Sequence, residues 1–136
     1  MINLIVGVKG TGKTKMLIEK VNEALEMSKG SVVCIEKGVK LLHEIKYQAR
    51  LLDTGDYMIN DAETLYGFVA GIYASNHDVT HIFIDSALKI CNNDIDAFCI
   101  FIEKIDKFSN ANNIIFLITS SLPVEDLPVA LKKYLI

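Results

Sequence analysis

Gly7-Val8-Lys9-Gly10-Thr11-Gly12-Lys13-Thr14 is where residue type and spacing speak most directly of chemistry. The segment has the form Gly-x-x-x-x-Gly-Lys-Ser/Thr, whose glycines let the backbone bend around an anion with several N–H groups turned inward. A helix starting at its end would add the partial positive charge of its N-terminus, so a di- or triphosphate suits the cup. Lys13 is placed to reach the outer phosphates, and the Thr14 hydroxyl to coordinate a magnesium ion bridging them. The expected contact set is Gly7, Lys9, Gly10, Thr11, Gly12, Lys13, Thr14 and Lys15. Asp85 follows the apolar run Ile82-Phe83-Ile84, which would deliver its carboxylate to the end of a buried strand. There it can share the magnesium shell with Thr14, the alternative being a cap on the following loop.

The elements that must hold these residues follow from the apolar pattern. Residues 2 to 6 read as a buried strand ended by Gly7, and Leu17, Val21, Ala24 and Leu25 recur at helical spacing until Gly30. Residues 31 to 36 read as a second strand, followed by Val39, Leu42, Ile45 and Ala49 on one face of a second helix. Tyr57-Met58-Ile59 suggests a short edge strand, after which Asn60 or Asp61 caps a helix carrying Leu65, Phe68, Val69 and Ile72. Gly67 and Gly71 on that helix each cost about 1 kcal/mol relative to Ala, which points to close packing against the sheet. A strand over 81–85, a helix over 95–108, a strand over 113–119 and a short helix from Pro128 complete the pattern. Uniformly apolar strands separated by helices predict a three-layer α/β/α fold with a small, mainly parallel sheet of four to five strands. Ligands of such sheets bind beyond the strands' carboxyl ends, here Gly7, Glu36, Asp85 and Thr119.

With 136 residues, 51% hydrophobic and 23% charged, one globular domain spanning 1–136 is expected. A net charge of -3 supplies no basic field for nucleic acid or an anionic membrane. No apolar run reaches membrane-spanning length and the first residues lack a signal peptide's basic start, so a cytoplasmic protein is expected. Cys34, Cys91 and Cys99 are an odd set without Cys-x-x-Cys spacing and read as reduced thiols. His77 and His81 would not share a helical face, which argues against a metal site of their own.

The segment 7–14, the strand ending at Asp85 and the polar-ended strand near Thr119 together resemble a P-loop NTPase of the RecA/AAA-like (ASCE) branch, with Walker A at 7–14 and Walker B at 82–85. The run Gly67 to Ile72 leading to His81–Asp85 is also similar to small bacterial ATP-binding proteins, some of which carry a twitching-motility label. The resemblance implies the strand order Walker A strand, Thr119 strand, Walker B strand, Glu36 strand. It also implies Mg-ATP binding with weak or partner-stimulated hydrolysis. Ser86 stands where many members carry the water-polarising glutamate. Glu36, at the neighbouring strand's end, is the candidate replacement, on equal terms with a solvated glutamate at the entry to the second helix. Thr119 or Ser120, rather than Ser121, would occupy a sensor position near the γ-phosphate, or cap the turn before Pro123. Arg50 is the single arginine, expected at a helix C-terminus, so an arginine finger in cis is not foreseen. No Asn-Lys-x-Asp follows a strand, and Glu103-Lys104-Ile105-Asp106 matches it only in part, which favours ATP over GTP. A small-molecule or nucleotide kinase, and a nucleotide-dependent module without turnover, are the alternatives. The apolar excess of the 95–108 helix fits burial under the carboxy-terminal segment or, alternatively, a protein partner or second copy.

Overall fold

The computed structural model describes all 136 residues. Strands β1 (Ile2–Gly7), β2 (Ser31–Glu36), β3 (Arg50–Asp53), β4 (Val79–Ile84) and β5 (Ile115–Ser121) form one sheet in the order β1-β5-β4-β2-β3. Every neighbouring pair is parallel. Helix α1 (Lys13–Met27) lies between β1 and β2, α2 (Ala62–Ser75) between β3 and β4, and α3 (Ala87–Ile90) and α4 (Ile95–Asn112) both between β4 and β5, with no helix between β2 and β3. The order β1-β5-β4-β2 is the one the resemblance implies, with β3 added outside β2. At the other edge Leu135 makes an isolated parallel bridge to Leu4.

Two apolar clusters lie on the two faces of this sheet and make it a three-layer α/β/α structure. The larger joins Leu4, Ile82, Ile84 and Ile118 to Leu65 and Val69 of α2, Leu88 of α3, Phe98, Phe101 and Ile105 of α4, and Leu131 near the carboxy terminus. The smaller joins Ile5, Cys34, Phe83 and Leu117 to Leu17 and Val21 of α1. The apolar excess of α4 is largely explained by this burial, and Tyr134 Oη also donates to Asp106 Oδ2 at 2.8 Å; Ile100 remains exposed. No helix is long and apolar enough to cross a membrane. All three cysteines are free, with Cys34 and Cys91 buried and Cys99 partly so.

The second helix is a correction. Residues 37–49 run as successive turns, with Leu41, Ile45 and Ala49 buried against the sheet and Val39 and Leu42 exposed. Gly38 sits at φ 103°, a conformation that interrupts a helix. Glu36 then takes the Lys40 and Leu41 N–H groups, and Asn22 of α1 tethers the outer part through Glu44 O and Lys46 N. Apolar residues four apart therefore reach the core without an intervening helix. Arg50 accordingly begins the edge strand β3 instead of ending a helix, and the expected strand Tyr57-Met58-Ile59 is absent: Tyr57 ends the 3-10 turn Thr54–Tyr57 and Met58 caps it at a left-handed φ of 58°. The element after Pro128 is likewise a 3-10 turn, Val129–Tyr134.

The glycines are also redistributed. Gly67 and Gly71 are exposed, and a Cβ on either would meet nothing within 4 Å, so α2 does not use them for close packing. The tight glycine is Gly30, where a Cβ would lie 2.1 Å from the Asp78 carbonyl oxygen. That carbonyl accepts Ser31 N–H at 2.8 Å, holding the starts of β2 and β4 together.

Candidate functional site

The parallel arrangement brings the carboxyl ends of β1, β5, β4 and β2 to one edge of the sheet. There a cavity of about 440 Å³ opens between the Gly7–Thr14 turn, the residues after β4 and the end of β5. No apolar side chain lines it. Gly10 and Gly12 hold φ of 89° and 85°, the left-handed region where a side chain is strained, and this lets the turn double back before α1 begins at Lys13. A Cβ at Gly7 would come 2.9 Å from Thr11 Oγ1 and push that hydroxyl from its place. Thr11 Oγ1 donates to the Val8 carbonyl at 2.8 Å and braces the turn from within.

Lys13 lies back over this turn. Its ammonium donates to Val8 O at 2.8 Å and to Thr11 Oγ1 at 3.4 Å, and the residue is only 8% exposed. Burial lowers its pKa, while the Asp85 charge acts in the opposite direction. Asp85 follows β4 directly and is tied to β2 by its backbone N–H, which donates to Ile35 O at 2.9 Å. Its Oδ1 accepts from Thr119 Oγ1 at 2.7 Å and from Thr14 Oγ1 at 3.3 Å. Thr119 Oγ1 in turn accepts the Ser86 N–H at 2.8 Å, with Ser86 held left-handed at φ 56°. Three segments distant in sequence thus meet at one carboxylate. The Thr14 and Asp85 oxygens, 3.3 Å apart, are hard donors of the kind that could hold a small divalent cation. Nowhere in the structure, this site included, do three His, Cys, Asp or Glu residues gather as a metal site.

The other expected residues separate into two groups. Gly7 and Thr11 shape the turn from inside, and Lys9, Gly10, Gly12, Lys13, Thr14 and Lys15 line the cavity together with Asp85 and Thr119. Glu36 does not line it: the residue is buried, and its two carboxylate oxygens accept Lys40 N at 3.2 Å and Leu41 N at 3.1 Å. Burial raises the Glu36 pKa, opposed by these N–H groups and reinforced by Asp85 and Asp53. Ser120 is fully buried with its Oγ accepting the Leu88 N–H of α3 at 3.3 Å, whereas Ser121 lines the cavity. Strand alternation accounts for this, since Thr119 and Ser121 share one face of β5 and Ser120 has the other. Arg50 lies at the start of β3 and away from the lining.

Lys40, Lys89 and Asn93 are lining residues that sequence spacing did not single out. They come from the turn after β2 and from the α3 segment after β4, so loops following strands other than β1 were the available signal. With Lys9, Lys13 and Lys15 they bring the lining to five lysines against the one carboxylate of Asp85. The chain's two ion pairs, Lys20–Glu23 and Lys46–Glu26, lie elsewhere, so none of the five is neutralised by a carboxylate within 4.0 Å. A chain of net charge -3 therefore concentrates positive potential at this cavity. Comparison with protein-family models and with curated proteins finds no match to this chain.

Proposed function

We propose that the chain is a P-loop nucleotide-binding protein that takes the triphosphate of Mg-ATP in the Gly7–Thr14 turn and hydrolyses it slowly or on stimulation by a partner. The observation that carries this reading is the meeting of two left-handed glycines, a buried Lys13 and the Thr14–Asp85 oxygen pair at one lysine-rich, wholly polar cavity. A buried ammonium whose partners are a carbonyl and a hydroxyl has charge to offer an anion, and phosphate oxygens accept charge-assisted hydrogen bonds about twice as strong as neutral ones. Amides of the turn and of the first turn of α1 would surround the same anion. Thr14 and Asp85 would hold the magnesium ion, which neutralises phosphate charge when bound. The cavity's lack of apolar wall suits a polyphosphate chain; the preference for adenine rests on the missing guanine-recognition motif alone.

Slow turnover follows from what surrounds the phosphate position. Lysines can stabilise charge there, but no arginine lines the cavity, and the Glu36 carboxylate is engaged by backbone N–H groups. Phosphoryl transfer to a small-molecule acceptor is a second reading, favoured by an adjacent cavity that shares Lys89 with the first. Incubation with γ-labelled ATP and magnesium separates the outcomes. Phosphate release far below the roughly 10 s⁻¹ typical of enzymes, and abolished by Lys13→Ala, is expected. ATP bound and recovered intact would replace hydrolysis by a non-hydrolysing module, and fast turnover unaffected by Lys13→Ala would overturn the assignment.

A further inference from the structure

Beside the lysine-rich cavity lies a second one of about 270 Å³, bounded by the segments that follow β2, β3 and β4. Its base includes Thr54, the first residue after β3, which is fully buried. Thr54 Oγ1 is the one buried side-chain polar atom of the chain without a hydrogen-bond partner. Buried hydroxyls are almost always paired, because an unmade bond leaves the full cost of desolvation. Thr54 borders this cavity, but its Oγ1 has no surface open to it in this conformation, so a ligand group would meet the hydroxyl only after neighbouring side chains shift.

The rest of the lining indicates the partner's chemistry. Lys37 and Lys89 stand on two sides, neither within 4.0 Å of a carboxylate, and no acidic residue lines the space. Asn60 and Asn92 add side-chain amides, while Met58, Ile59 and Ile90 add an apolar wall absent from the larger cavity. The walls are braced independently of any ligand: Asp53 Oδ1 accepts Gly38 N at 2.8 Å and Gly55 N at 2.9 Å, joining the loop after β2 to the turn after β3. A volume just under the roughly 300 Å³ at which drug-sized pockets begin fits a small metabolite.

We infer that this second cavity binds a small molecule bearing a compact oxyanion, a phosphate or a carboxylate, with Lys37 and Lys89 holding the charge, the Thr54 hydroxyl completing its polar contacts, and the apolar wall taking the ligand's body. The inference goes beyond nucleotide binding and does not depend on it. Sharing Lys89 places the two sites side by side, so an occupant here would lie next to whatever fills the larger cavity.

The test is an amide NMR titration of the full chain with inorganic phosphate and, separately, with malonate, at constant ionic strength. Each is run on wild type saturated with magnesium and a non-hydrolysable ATP analogue, and on Lys13→Ala without nucleotide. Saturable shifts at Thr54 to Asn60 and at Ile90 and Asn92 are expected with at least one anion, and the stronger anion identifies the head group. Lys37→Ala, an exposed change, should weaken that binding at least fivefold. Thr54→Val should weaken it several-fold while raising the thermal midpoint of the free protein, since it removes an unpaired buried hydroxyl. No saturable shift with either anion in either background, or shifts unchanged by both substitutions, would overturn the inference. Failure of the ATP analogue to shift the Gly7–Thr14 amides would sink the nucleotide reading alone.

Discussion

Asp85 and Glu36 are both buried carboxylates at neighbouring strand ends, and their surroundings give them different work. Asp85 receives two hydroxyls and faces the lysine-rich cavity, whereas Glu36 is consumed in ordering the turn that replaces a helix. The raised pKa of Glu36, caused first by burial, has a consequence for stability. Unfolded, the group ionises near 4.5; folded, it keeps its proton to higher pH, so between the two values the native state binds more protons. Stability contributed by this group therefore falls as pH rises through that window, at up to about 1.4 kcal/mol per pH unit. Glu36→Gln should remove that fall: its stability, followed by thermal unfolding from pH 4 to 7, should rise relative to wild type with pH. Parallel curves would contradict this. His81, whose pKa burial lowers, acts with the opposite sign but is present in both proteins and cancels. At this level the sequence was most informative for the glycine turn, Lys13, Thr14, Asp85 and Thr119, because each ends or follows an apolar strand. Lys40 and Lys89 were hidden because one lysine in an irregular loop looks like any other solvated charge, and only the fold makes them neighbours.

Among the elements, strands were easier to read than the segments between them. Four of the five strands are apolar runs that carry the signature of a buried parallel sheet and were placed with errors of two residues or fewer at their ends, whereas the edge strand β3, Arg50–Asp53, carries little of it. The helical reading of 37–49 failed because buried residues every four positions also suit a chain of turns, and side-chain acceptors on Glu36 and Asn22 outweigh helical bonding there. Helix α2 offers the cleanest element-level test. Its glycines contribute no packing yet carry the backbone entropy cost of glycine in a helix. Gly67→Ala and Gly71→Ala should each stabilise the protein by about 0.5–1 kcal/mol, a rise of roughly 2–5 °C in Tm for a chain of this size. A lower Tm for either variant would mean that the exposed face of α2 is covered by something in solution.

For the molecule as a whole, uneven layering and charge reinforce one another. One sheet face is covered by α2, α3, α4 and the carboxy-terminal turns, while the other has only α1 and the turns of 37–49. Substituting turns for a helix puts Lys37 and Lys40 at the strand ends, where they join Lys89 and the lysines of the glycine turn. The same economy leaves an apolar groove at the opposite end of the sheet, between Met27 of α1 and Phe83, Ile115 and Leu117. Excess acidic charge over the rest of the surface favours solubility, and the cation-lined edge would attract a polyphosphate against that background.

Isothermal titration calorimetry of the full chain with ATP and magnesium addresses the glycine turn most directly. Saturable one-to-one binding is expected, weakened about 10- to 100-fold by Lys13→Ala, the range for losing a hydrogen bond to a charged group. No saturable heat from ATP, GTP or pyrophosphate with magnesium, or binding untouched by Lys13→Ala, would contradict a phosphate-binding role for Gly7 to Thr14.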